Sequence, residues 1–242
     1  MKFLDRILTS VAAAVLAGCG VKSPPAVAVP AAPAVQESPP LTDIGLQSDV
    51  YGDPATPVAG KVLGTVIHTQ EAEELRYVVL TRLTDQYADQ QHIVVTPAEK
   101  DAYVAHVRAF MEEDRARRQA AGEPVPADTA ADATEESDED RAARLEIAAA
   151  FIRQWKINRA LYQQYGGRIG YQQGGPEPLD AYRRFLEERA ARGDFRIANP
   201  DLETAFWRYY RDDSIHEFVE PGSAAEATTF TDPPWLADKS LR

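Results

Sequence analysis

The spacing of apolar positions changes along the chain, and each change marks an element. Residues 61–69 place Gly64 between two short apolar runs, Val62-Leu63 and Val66-Ile67, which predicts a tight β-hairpin. Leu75, Val78, Val79, Leu83 and Tyr87 then recur on one side of a helix. After a short extended piece, Ile93-Val94-Val95, the run Thr96-Pro97-Ala98-Glu99 opens a second helix. It offers a capping hydroxyl, proline at the first helical position and a glutamate three residues after the cap. Tyr103, Val107, Phe110 and Met111 follow at helical spacing and predict one buried face.

The longest helix is expected from Arg141 to Tyr165. Leu145, Ala148, Ile152, Trp155 and Tyr162 form its stripe, Phe151, Ile157 and Leu161 widen it, and Gly166-Gly167 ends it. An extended segment near residues 169–172 leads to a helix opened by Pro176-Glu177-Pro178, carrying Leu179, Tyr182, Phe185 and Leu186, and closed by Gly193. Asn199-Pro200-Asp201 caps the last helix, which bears Leu202, Phe206, Trp207 and Tyr210. These elements predict a mainly α fold, a helical bundle of about five helices with a small β-hairpin, over residues 60–220. One core is expected rather than two, because neither helical block alone, at roughly 60 to 80 residues, would bury enough surface.

Composition divides the rest of the chain. Residues 19–59 are rich in Pro, Ala and Val with almost no large apolar side chains, and read as an extended, disordered tether. The span 122–140 contains Pro124, Pro126 and seven acids from Asp128 to Asp140 without a basic residue among those acids. It reads as a solvated acidic loop without the ligand spacing of a calcium loop. Residues 221–242 read as a disordered tail with a docking motif at 230–236. A net charge of −12 argues against nucleic acid and against adsorption to anionic lipid. Cys19 is the single cysteine, so neither a disulfide nor a thiolate metal site is available to the folded part.

Residues 1–18 carry Lys2 and Arg6, an apolar run from Ile7 to Leu16, and small residues before Cys19, the pattern of an export signal. The apolar run is shorter than the roughly 20 residues that a spanning helix needs. Leu16-Ala17-Gly18-Cys19 resembles the lipobox of bacterial lipoproteins. The resemblance implies cleavage before Cys19, a diacylglyceryl group on its thiol and a further acyl chain, of the palmitate type, on its amine. Such an anchor holds a protein stably at a membrane. Gly20, where an aspartate would imply retention at the inner membrane, points to the periplasmic face of the outer membrane.

The stretch from residue 62 to about 111 resembles the amino-terminal segment of SurA-type periplasmic chaperones, relatives of the parvulin-linked foldases. The matching features are a Val-x-Gly-x-x-Ile hairpin (Val62, Gly64, Ile67), a long striped helix, and an Ile-x-Val-Thr-x-x-Glu entry (Ile93, Val95, Thr96, Glu99) to the next helix. A second block, Leu161 to Arg168 with Tyr171-Gln172-Gln173 and Gly175 to Tyr182, resembles uncharacterised relatives of that group, which bring no activity with them. Parvulin isomerase domains need a further α/β unit of roughly 100 residues, whereas the chain after Arg141 reads as helical. The resemblance therefore implies the binding part without the catalytic part, with unfolded or assembling envelope proteins as partners. Two alternatives remain: an accessory lipoprotein that docks on a folded envelope partner through residues 230–236, and a divergent peptidyl-prolyl isomerase.

No motif for catalysis is present. His68, His92, His106 and His216 are scattered without His-Glu-x-x-His spacing, and there is no Gly-x-Ser-x-Gly elbow or phosphate-cradling Gly-x-x-x-x-Gly-Lys. No catalytic residue, metal site or cofactor is assigned. Candidate partner-binding residues are Arg168, Tyr171, Gln172 and Gln173 around the Gly166-Gly167 turn, where guanidinium and amide groups can hydrogen-bond a peptide. The rival reading pairs Arg168 with Glu177 or Asp180 and makes it a fastener between helices. Phe206, Trp207, Tyr209 and Tyr210 cannot all point inward from one short helix, so Trp207 and Tyr210 join the candidates as exposed anchors.

Overall fold

The hairpin depends on a two-residue turn in which both residues have positive φ, a geometry matched to the twist of the strands it joins. Leu63 (φ 46°) and Gly64 (φ 92°) adopt it in the computed structural model, which describes residues 49–123, 137–172, 175–231 and 233–236. The elements in chain order are β1 (Val50–Tyr51), β2 (Val58–Val62), β3 (Thr65–His68), α1 (Ala72–Gln90), α2 (Pro97–Ala121) and α3 (Asp138–Tyr165). They continue with β4 (Gly170–Gln172), β5 (Gly175–Glu177), α4 (Leu179–Ala191), β6 (Phe195–Ile197), α5 (Pro200–Arg211), β7 (Glu217–Phe218) and α6 (Ala224–Thr229). The fold is mainly α, and its strands form two small sheets in the orders β1-β3-β2-β6 and β5-β4-β7.

The first sheet and the helices around it enclose the larger hydrophobic cluster. The α1 stripe of Leu75, Val78, Val79, Leu83 and Tyr87 is buried as its spacing predicts, against Val62 and Ile67 of the hairpin and Phe185 and Phe206 of α4 and α5. Each such side chain stabilises the fold by about 1.5–3 kcal/mol through removal from water. The second cluster joins Ala148, Ile152 and Trp155 of α3 to Ile169, Val219, Phe230 and Trp235. Helix α3 serves both, since its Ile157 and Leu161 belong to the first.

Several expectations are corrected. Six helices and two sheets, among the described residues, replace five helices and one hairpin. The fold begins before residue 60: β1 pairs in parallel with β3, and Ala59 is buried, so residues 49–59 are not tether. Pairing supplies the order that their side chains could not. Pro176-Glu177 is part of strand β5 rather than a helix entrance, and α4 starts at Leu179. The capping box at Thr96 and Glu99 forms as read, yet α2 buries no residue and Met111 is 41 % exposed. Helix α2 packs chiefly on α3, with Tyr103 stacked on Phe151 at 5.8 Å, and a two-helix arm covers only one strip of each partner. The tail is ordered as far as described: α6 forms, and Phe230 and Trp235 are buried at 5 % and 7 % exposure. Their aromatic rings fill the crotch between α2 and α3, with Trp235 5.4 Å from Trp155 and 5.7 Å from Tyr103. The docking motif docks on its own chain.

Candidate functional site

The glycines at 166 and 167, both at positive φ, turn the chain out of α3 and lay Arg168 over the start of α4. A Cβ on Gly167 would lie 2.4 Å from the Asp180 Cβ, so glycine is what allows the two segments to meet. Asp180 accepts bonds from the Arg168 backbone N–H (2.9 Å), Nε (2.9 Å) and Nη2 (3.1 Å). The same guanidinium reaches Asp213 at 2.7 Å and lies 4.3 Å above the Phe218 ring. Burial alone would raise Asp180, but Arg168 outweighs it and holds the carboxyl below the usual range. Arg168 therefore fastens α4, the turn after α5 and β7 together, and its polar atoms are spoken for within the chain. Of the two carboxylates that the sequence offered it, Asp180 is the partner.

Glu177 has a different role. It accepts from Tyr209 Oη at 2.7 Å, near His216 and Arg76, while the Arg76 guanidinium sits 4.2 Å above the Tyr209 ring. Burial pushes its carboxyl above the usual range, partly offset by the Tyr209 hydrogen bond. Next to it, Tyr182 Oη donates to Asn158 Oδ1 at 2.7 Å, and Gln154 Nε2 donates to both. Asn158 Nδ2 donates in turn to the Pro176 carbonyl at 3.0 Å. These side chains pin the second sheet to α3 and α5.

The other candidates are scattered. Gln172 bonds His216 at 3.2 Å, and Tyr171 leans on the second cluster. Tyr210 is buried at 3 % exposure, a core residue with no surface to present. Cys19 and Gln173 lie outside the described residues.

Trp207 alone of the named residues borders an open depression. This groove, about 1080 Å³ in volume, runs between α4, α5 and the free edge of β6. Its walls include Phe195, Arg196 and Ile197 from the strand, Trp207 and Arg211 from α5, and Glu187 from α4. Arg211 lies 4.4 Å above the Trp207 ring and is paired with Glu187 at 3.0 Å.

No family model, curated protein or solved structure matches this chain. The site is therefore read from its own geometry. An apolar floor with charged walls can hold a peptide. Among the described residues no group of three or more His, Cys, Asp or Glu could hold a metal ion, and no helix is long and apolar enough to cross a membrane. Sequence reasoning named Trp207 but missed β6; the signal available was the alternation Phe195-Arg196-Ile197 just after Gly193.

Proposed function

We propose that this chain is a lipid-anchored, non-catalytic chaperone, related to the amino-terminal domain of SurA-type proteins. It holds unfolded or assembling envelope proteins at the periplasmic face of the outer membrane. The observation that carries this reading is the open groove beside Trp207, with a sheet edge along one side and aromatic side chains at its base. Concave, partly apolar surfaces of this kind suit extended polypeptide segments. The order hairpin, striped helix, capped helix over residues 62–111 supports the relationship, and Leu16-Ala17-Gly18-Cys19 supports the anchor.

Docking on one folded partner through residues 230–236 loses its main anchors, because Phe230 and Trp235 are used inside the fold. The test of the chaperone reading is aggregation of a denatured outer-membrane protein diluted from urea, followed by light scattering with and without the full-length chain. Slower aggregation at stoichiometric amounts supports it; an unchanged time course contradicts it.

A further inference from the structure

Strand β6 ends its sheet, and its hydrogen bonds to β2 alternate. The Leu63 N–H donates to the Asp194 carbonyl (2.7 Å), the Ala198 N–H to the Ala59 carbonyl (2.8 Å), and Arg196 lies opposite Lys61 between them. The backbone groups of Phe195 and Ile197 therefore point away from β2, along the open edge. Neighbouring residues of a strand face opposite sides of its sheet. A groove that touches Phe195, Arg196 and Ile197 together thus follows the edge rather than one face.

Charge identifies the occupant. Lys61 and Arg196 are both exposed and stand directly across the strand pair, where like charges repel, and neither has an ion pair among the described residues. Two uncompensated cations side by side are unusual in a chain of net charge −12. A second copy pairing through β6 would bring its own Arg196 to the same edge, so self-pairing is disfavoured. A strand with carboxylates on that face is favoured. Its alternate side chains would meet Trp207 on the other face, which selects apolar residues there.

We propose that β6 accepts an added strand from an extended client segment that alternates apolar residues with aspartate or glutamate. The outward amide and carbonyl groups of Phe195 and Ile197 bind its backbone, Arg196 binds its carboxylates with Lys61 behind it on β2 adding to the positive charge, and Trp207 covers its apolar side. This inference rests on the chaperone reading and specifies which segments the groove takes.

The test measures fluorescence anisotropy of a fluorescein-labelled, end-capped peptide of alternating valine and glutamate, titrated with the full-length chain. The glutamate peptide is expected to bind at least about tenfold more tightly than its lysine counterpart, the scale that one well-placed charge contact confers. N-methylation of its edge-facing amides, which removes the backbone donors without touching the protein, should abolish binding. Arg196→Glu, an exposed change, should reverse the preference between the two peptides. Equal binding of the N-methylated peptide, or a preference that Arg196→Glu leaves unchanged, overturns strand addition. If the chain still slows aggregation of a denatured outer-membrane protein in that event, the chaperone reading stands and only the strand inference falls. If it does not, the reading beneath falls as well.

Discussion

Arg168→Ala removes one guanidinium that serves three segments, and its cost can be worked from the contacts. Asp213 lies in solvent, which screens that arm of the pair. Asp180 is 11 % exposed and loses two side-chain donors, at 2.9 and 3.1 Å. Hydrogen bonds to a charged group contribute about 1.5–3 kcal/mol when buried. Two facts reduce this: Arg168 is 35 % exposed, and Arg183 at 3.2 Å still faces Asp180 after the substitution. A net loss of about 1–3 kcal/mol remains, or a fall in Tm of roughly 3–10 °C for a fold of this size. Circular-dichroism melts of the two proteins across pH provide the assay. Because Arg168 holds the folded pKa of Asp180 below the unfolded value, near 3.9, the stabilisation is complete above that value. It is lost as pH falls through the folded value. The gap between wild type and variant should therefore be widest near neutrality and shrink below about pH 4. Equal melting at pH 7, or a gap that does not change in acid, would refute the assignment of Arg168 as a fastener.

Glu177→Gln keeps an acceptor for Tyr209 Oη but removes a charge that burial disfavours. With the folded pKa raised, the group favours folding below its unfolded value and loses that contribution as pH rises. The variant should accordingly melt higher than wild type at pH 7 and equally with it below about pH 4, measured by the same melts. Trp235→Ala empties the space against Trp155 and Tyr103 and should cost about 3 kcal/mol, seen as a lower Tm in the same melts. Cys19→Ser should abolish the acyl mass on the mature amino terminus and release the protein from membranes, read by mass spectrometry and fractionation.

What the sequence made legible was local. The Leu63-Gly64 turn, the Thr96–Glu99 capping box, the Asn199 cap and the α1 stripe each depend on residues within a few positions of one another, and each forms as read. Long-range pairings were not legible. Strand β6 has three residues, too few for a period to stand out, and gains its order from β2, 133 positions earlier at the Val62–Phe195 pair. Strand β1 and the tail were missed for the same reason. Neither looks structured alone, and each is held by a surface supplied by another part of the chain, β3 in one case and the α2–α3 crotch in the other. Of the site, Trp207 was legible as an aromatic too many for its helix. The groove beside it was not, because its far wall is β6. Tyr210 shows the limit of such counting: a short helix cannot bury all of its aromatic side chains, but spacing alone did not say which would stay outside.

The central claim is that many unfolded chains, rather than one folded partner, occupy the groove beside Trp207. It can be tested by placing a photo-cross-linking amino acid at Thr204, an exposed groove position, in the full-length protein in its own envelope. Irradiation during synthesis of outer-membrane proteins should give a ladder of adducts with several newly exported chains, fading once synthesis stops. A single sharp adduct that persists after synthesis stops, or no adduct from this position, would contradict it.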